Sequence, residues 1–147
     1  MEEVSKKPVE ILIDHYAQSH QHPINEVIHF ICVPAIAWTL LGLIWAVHPL
    51  LAVGACVLAL SYYFRLSFSL GLGMLVMSAL MLALLYALPP AWVLPVSVCV
   101  FVLAWTGQFI GHYLEGKKPS FFDDVRFLLI GPLFVLGFLY RKCHLSF

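Results

Sequence analysis

Long apolar runs separated by short polar breaks dominate the chain, and their lengths predict membrane-spanning helices. Residues 28–47 form one run of about the twenty residues that a span requires. Residues 50–88 form a run about twice as long, in which Arg65 is the single charged residue, so we predict a helical hairpin that turns near Arg65. Residues 91–114 predict a further span. The pattern therefore predicts an all-α integral membrane protein with four transmembrane helices.

Two further segments carry apolar residues but are too short to cross a bilayer. Residues 127–140 cover only about two-thirds of a span, and Gly131-Pro132 predicts an interruption, because proline breaks the helical hydrogen-bond ladder. We interpret this segment as a short C-terminal re-entrant or interfacial helix. Residues 9–19 have apolar positions at helical spacing, which predicts an N-terminal interfacial helix. Its apolar face consists of Val9, Leu12, Ile13 and Tyr16.

The basic residues favour four spans over five. With four spans, the connections at residues 47–49 and 89–91 carry no charge, and every lysine and arginine lies on the opposite side. A fifth span over residues 127–140 would move Arg141 and Lys142 to the uncharged side. The positive-inside rule therefore makes the basic side cytoplasmic, in the endoplasmic reticulum membrane of a eukaryote or the inner membrane of a bacterium. The eight basic residues are Lys6, Lys7, Arg65, Lys117, Lys118, Arg126, Arg141 and Lys142.

Composition supports the membrane class and argues against others. Hydrophobic residues make up 62% of the chain and charged residues 11%, against roughly 45–50% and 25% in soluble domains. The formal net charge of zero gives no indication of nucleic-acid binding. The four cysteines form no CxxC pair, so we expect neither a disulfide framework nor a sulfur-based zinc site. The charged N-terminus does not resemble a cleavable signal peptide, and we expect a single membrane-embedded domain over residues 1–147.

Histidines gather at the basic side of the predicted bundle. His29 opens the first span, His112 closes the fourth, and His20 and His22 precede the first span by a few residues, which places these four at one membrane interface. Imidazole nitrogens favour iron, zinc, copper or nickel, so one interpretation is a metal centre. A haem-binding electron carrier and a non-catalytic membrane scaffold or lipid-binding protein with a polar interfacial network are the alternatives. Isolated or exposed positions are predicted for His15, His48 and His144.

Polar residues accompany the histidines on two helix faces. Asn25 and His29 are spaced i, i+4, and on the last span Gln108, His112 and Glu115 are spaced i, i+4, i+7. Polar side chains at the end of an apolar helix are costly unless they are paired, so we expect the two faces to point towards each other. Four residues would contact the imidazoles of a metal centre and orient them without binding the metal: Asn25, Gln108, Glu115 and His22.

Two segments carry these residues in a distinctive order. Residues 16–34 read YAQSHQHPINEVIHFICVP, and residues 105–119 read WTGQFIGHYLEGKKP. Together they resemble the membrane family typified by the fungal 2-hydroxy fatty acid dioxygenase. One departure is that Glu115 and Pro119 follow His112 one residue sooner than in that family. The matching positions are Tyr16, His20, Pro23, Asn25, His29 and Pro34, then Trp105, Gln108, Phe109, Gly111, His112, Glu115 and Pro119.

The resemblance implies an Fe(II)-dependent dioxygenase. A 2-hydroxy long-chain fatty acid and O2 would give the fatty acid one carbon shorter, as in the α-oxidation of sphingolipid-derived fatty acids. It also implies that His20, His29 and His112 are the iron ligands and the catalytic residues. The substrate's tail would stay in the bilayer and its carboxylate at the interface, at the depth of the histidines. Candidates to steer the carboxylate, with solvation at the membrane surface as the alternative explanation, are Arg65, Lys117 and Lys118.

Overall fold

The computed structural model describes residues 8–18, 20–119 and 126–145, and every regular element in these ranges is a helix. Four of the helices have 18 to 26 residues and are apolar enough to cross a membrane. This finding confirms the predicted all-α membrane fold with four spans. The helices in chain order are α1 (Pro8–Ala17), α2 (Pro23–Val47), α3 (Pro49–Leu66), α4 (Phe68–Ala87), α5 (Pro90–Glu115) and α6 (Phe127–Lys142).

Single residues separate the first three long helices. His48 lies between α2 and α3, and Ser67 lies between α3 and α4. Each side chain accepts a hydrogen bond from the helix that follows, His48 Nδ1 from the Leu50 amide at 3.2 Å and Ser67 Oγ from the Leu70 amide at 3.4 Å. These bonds satisfy amide groups that the start of a helix leaves unpaired. The hairpin therefore turns at Ser67, close to its predicted position at Arg65.

Helices α2 and α5 form the most extensive helix–helix contact in the described chain, and small residues allow their close approach. The two helices are antiparallel, because Asn25 faces Gly111 at one end and Gly42 faces Ser97 near the other. A side chain at Gly111 would have no room beside the Asn25 amide. This contact holds the start of α2 against the end of α5, the two places where the sequence puts its polar residues.

Helix α6 lies at the end of the bundle where α3 and α4 meet. Near the start of α6, the Leu129 carbonyl accepts a hydrogen bond from Tyr63 Oη at 2.9 Å. Near its end, Tyr140 Oη donates to the Ser69 carbonyl at 3.0 Å. Because Tyr63 and Ser69 flank the α3–α4 turn, both ends of α6 lie at the same end of the bundle. This is the arrangement expected of a re-entrant or interfacial helix, not of a fifth span.

The predicted interruption of α6 at Gly131-Pro132 is wrong, since the helix continues through both residues. Gly131 is buried, and a Cβ there would lie 3.1 Å from Val33 Cγ1 and 3.2 Å from Tyr16 Oη. The glycine therefore lets α1 and α2 approach α6 closely. Pro132 costs the helix one hydrogen bond, and the two tyrosine bonds at the ends of α6 hold the helix in place.

Helix α1 covers α6 with the apolar face that its sequence predicts. Val9, Ile13 and Tyr16 are buried, and Leu12 is partly buried against the same cluster. Burial of these side chains ties α1 to the end of the bundle and positions the residues that follow it, including His20. The α6 residues in the cluster are Phe127, Ile130, Leu133 and Phe134.

Candidate metal centre

Three histidines from different parts of the chain meet at the end of the bundle covered by α1 and α6. His20 lies in the connection between α1 and α2, His29 in the second turn of α2, and His112 in the last turn of α5. One ring nitrogen of each lies within 4.8 Å of those of the other two. All three side chains are buried, with exposed fractions of 5%, 2% and 4%. The rings therefore form one compact group of nitrogen donors shielded from solvent.

Hydrogen bonds to backbone carbonyls assign the tautomers of two of these rings. His20 Nδ1 donates to the Tyr16 carbonyl at 2.7 Å, and His29 Nδ1 donates to the Asn25 carbonyl at 3.1 Å. In a neutral imidazole the other nitrogen, Nε2, then carries a lone pair. These two Nε2 atoms face each other at 2.7 Å. Two facing lone pairs repel unless a cation lies between or beside them, so the pair fits a bound metal ion.

A proton shared by the two Nε2 atoms does not remove this repulsion at neutral pH. Burial lowers the pKa of His20 to about 4, because a charged imidazolium loses its hydration there. His20 is therefore neutral near pH 7. Neutral imidazole is also the form that ligates metals.

The third histidine leaves a buried polar atom without a partner. Within residues 8–18, 20–119 and 126–145, His112 Nδ1 has no hydrogen-bond partner, and neither has Nε2 of Gln108, one turn earlier on α5. Buried polar groups in proteins are nearly always paired. Together with the facing Nε2 atoms of His20 and His29, these unpaired atoms belong to a buried polar group that could hold a metal ion. A donor set made of imidazoles suits iron, zinc, copper or nickel.

Glu115 connects the end of α5 to the segment that carries His20. Its Oε1 accepts the Gln21 amide at 3.0 Å, and its Oε2 accepts the His22 amide at 2.8 Å and Asn25 Nδ2 at 3.1 Å. The carboxylate thus ties the α1–α2 connection and the first turn of α2 to the helix that carries His112. It makes no hydrogen bond to the three imidazoles that the structure shows; its bonds hold the backbone that directly follows His20.

An apolar cavity of about 210 Å³ begins at the histidines and extends between α2, α3 and α4. Tyr16, His29 and His112 line its polar end, together with Gln108. The remaining walls are mostly aliphatic and methionine side chains. A buried polar head joined to a long apolar cavity suits a ligand with one polar end and one hydrocarbon chain.

The family model described as 2-hydroxy-palmitic acid dioxygenase Mpo1-like matches residues 7–143 of the chain. The chain belongs to this family. The match confirms the resemblance that the two motif segments indicate, and it extends over all six helices. No curated protein and no solved structure matches the chain.

The structure of this Mpo1-like protein places the predicted site residues in different settings. His22 lies outside the three-histidine group and caps α2, with its Nδ1 accepting the Ile24 amide at 3.2 Å. Asn25 is buried and contacts both Glu115 and, through its carbonyl, His29. Gln108 is buried at the head of the cavity.

The three candidate cations for steering a carboxylate separate in the structure. Arg65 is exposed at the end of α3 and lines neither the apolar cavity nor the shallow hollow beside Lys117 and Lys118. Lys117 donates to the Gln18 carbonyl at 2.6 Å. Lys117 and Lys118 line a shallow surface hollow that shares His112 with the apolar cavity. Only the two lysines are thus close to the histidine group.

Two aromatic residues shape the centre in ways that the sequence reasoning missed. The Tyr16 ring stacks on His20 with centroids 4.2 Å apart and planes 13° apart. Phe134 of α6 lies 5.0 Å from the Tyr16 ring and 5.9 Å from the His20 ring. Tyr16 is the first residue of the motif segment 16–34, and this position was a signal that it contributes to the site. Phe134 lies in a uniformly apolar run that gives no such signal.

Proposed function

We propose that this Mpo1-like protein is an Fe(II)-dependent dioxygenase that shortens 2-hydroxy fatty acids by one carbon. His20, His29 and His112 would hold the iron on the cytoplasmic side of the membrane. The observation that carries the proposal is the convergence of three buried imidazoles, with one ring nitrogen of each within 4.8 Å of the others and the two Nε2 atoms of His20 and His29 facing each other at 2.7 Å. The family description supplies the reaction class.

The overall reaction balances without an outside reductant. The 2-hydroxy acid loses its C1–C2 bond, C2 is oxidised from an alcohol to a carboxylic acid, and C1 leaves as CO2. O2 accepts the four electrons, and its two oxygen atoms are distributed among the new carboxylic acid, CO2 and one water molecule. Bound Fe(II) would supply the redox-active centre and would polarise the substrate's oxygens.

The protein's own residues orient the substrate and exclude water. The 2-hydroxyl and carboxylate would lie at the polar end of the cavity. There, the Gln108 Nε2 amide has no hydrogen-bond partner among the described residues and would donate to them. Tyr16 and Phe134 close the site from the side of α1 and α6. Glu115 keeps His20 in place through the backbone of the α1–α2 connection. The reacting carbons are thereby held beside the three imidazoles while the tail remains in an apolar environment.

The geometry argues against the haem alternative. The facing Nε2 atoms of His20 and His29 are only 2.7 Å apart, which leaves no room for a macrocycle between the two rings. A non-catalytic lipid-binding protein remains the second candidate, because the apolar cavity would suit a lipid chain in either case. The two candidates differ in whether they need a stoichiometric metal and O2.

Metal content and turnover, measured on the same preparations, test the proposal. Protein purified without chelator is expected to contain one iron per chain and to convert 2-hydroxypalmitic acid to the acid one carbon shorter. His29→Ala and His112→Ala should lose both properties. His144→Asn, which removes an exposed imidazole at a left-handed backbone position that asparagine tolerates, should keep both. Full turnover in both alanine variants, or a metal-free active protein, would rule the proposal out.

A further inference from the structure

The cavity runs away from the histidines along one face of α2. Lining residues on this helix recur every three or four positions from His29 to Ile44, a distance of about 22 Å at roughly 1.5 Å per residue. The face therefore leads from the candidate metal centre towards the opposite end of the bundle. Below His29, the α2 wall consists of Val33, Ile36, Ala37, Leu40, Leu41 and Ile44.

Small side chains on two helices leave the space that the cavity occupies. Ala37 lies two turns beyond His29 on α2, and Ala55 and Ala59 lie on the facing side of α3. The α4 wall is formed by methionines, whose flexible unbranched side chains adapt to a linear ligand. These methionines are Met74, Met77 and Met81.

Polar groups in the α3 and α4 walls are already paired. The Cys56 thiol of α3 and the Ser78 hydroxyl of α4 interact across the two helices. The hydroxyl of Tyr63 is directed to the Leu129 carbonyl of α6. Among the described residues, Gln108 Nε2 and His112 Nδ1 border the cavity without a hydrogen-bond partner, and both lie at the histidine end. The cavity is therefore suited to one polar head at the histidines and one apolar chain below them.

The length of the apolar part fits a long fatty acid. Val33 to Ile44 spans eleven residues on α2, or about 16 Å at roughly 1.5 Å per residue. An extended hydrocarbon advances roughly 1.3 Å per carbon, the projection of a ~1.5 Å carbon–carbon bond. The α2 face thus accommodates about twelve carbons below Val33, and the turn from His29 to Val33 adds about 6 Å, or roughly four more carbons, so that the whole face corresponds to an acid of about sixteen carbons.

We propose that this cavity binds the hydrocarbon tail of the 2-hydroxy fatty acid, and that Ala37 and Ala55 set the longest chain that fits. The inference rests on the proposed dioxygenase function for the identity of the head group. The occupant is a single acyl chain whose head lies at His29 and His112, the two histidines that line the cavity. A larger residue at Ala37 would block the tail two turns below the metal centre. A larger residue at Ala55 would block it closer to the end of the cavity that lies away from the histidines.

Chain-length profiles of the full-length protein test the role of the two alanines. Ala37→Leu is expected to lower kcat/KM for 2-hydroxypalmitic acid at least tenfold relative to 2-hydroxydecanoic acid, the factor expected when roughly two methylene groups lose their apolar contacts. Ala55→Leu should show a smaller shift in the same direction. Ala79→Leu, the same change on the exposed face of α4, should leave the ratio unchanged. Iron content is measured in each variant, so that a folding defect is not mistaken for a change in chain preference. An unchanged ratio in Ala37→Leu with full iron content would overturn the proposal.

Photo-crosslinking provides a readout that does not require turnover. A 2-hydroxypalmitic acid analogue with a diazirine at its last carbon should label the far end of the cavity, at Leu41, Ile44, Ala55 or Met81. Labelling there without turnover of any 2-hydroxy acid would keep the tail site and refute the dioxygenase function. Turnover with labels only on exposed residues such as Leu58 and Val76 would refute the tail site alone. Equal labelling of the cavity by a phospholipid carrying the same diazirine chain would also overturn the tail site as a fatty acid site.

Discussion

Glu115→Ala is expected to weaken metal binding although Glu115 is not one of the proposed ligands. The substitution removes three hydrogen bonds at 2.8–3.1 Å, two of them from the backbone amides that directly follow His20. Water can replace part of these bonds, because the one from Gln21 is exposed. Groups that hold a ligand in place contribute about 10–100-fold to metal affinity. We therefore expect the metal dissociation constant to rise by about one to two orders of magnitude.

Competition with a chromophoric chelator in detergent micelles measures this dissociation constant. Glu115→Gln keeps one acceptor oxygen and should show a smaller loss than Glu115→Ala. Glu26→Ala serves as the control, because Glu26 lies in the first turn of α2 and takes no part in the bonds that hold the His20 segment. A Glu115→Ala protein that binds iron as tightly as the unmodified chain would refute the positioning role of this carboxylate.

Three further variants or conditions test the fold around the centre. Gly111→Ala should destabilise the protein by about 1–3 kcal/mol through overpacking against Asn25. Gly54 faces open space, so Gly54→Ala should not lower stability. Thermal denaturation in detergent compares the two variants. Tyr63→Phe removes the hydrogen bond from Tyr63 Oη to the Leu129 carbonyl and should cost about 0.5–1.5 kcal/mol in the same assay. The metal-free protein should lose stability as pH falls from 6.5 towards 4, because the pKa of His20 is lower in the folded state than in the unfolded chain; a flat stability profile over this range would contradict its burial as a neutral ring.

Much of the fold is readable from apolar length and periodicity. The spans follow from run lengths, since an apolar helix of about twenty residues has few other stable environments. The buried face of α1 follows from the spacing of Val9, Ile13 and Tyr16. The packing partners of α6 could not be predicted, because its sequence is apolar on all sides and has no periodicity to orient it. Its position depends on the Tyr63 and Tyr140 bonds to distant carbonyls.

The convergence of His20, His29 and His112 was predictable because helix ends at one membrane surface lie at the same depth. The roles of their neighbours were not. Glu115 acts on backbone amides, which every residue carries, so no side-chain pattern signals the contact. His22 is close to the centre in sequence, but its ring caps α2. The cavity depends on which small residues of α2 and α3 face each other across the bundle, and spacing within one helix does not determine that.

The central claim is that one ion is held by the imidazoles of His20, His29 and His112. X-ray absorption spectroscopy at the iron edge of Fe(II)-loaded protein, kept anaerobic, counts the imidazoles bound to the metal. Three imidazole ligands are expected at one iron per chain, and two in a His29→Ala protein that retains any iron. An iron environment without histidine, or an unchanged spectrum in His29→Ala at full occupancy, would contradict it.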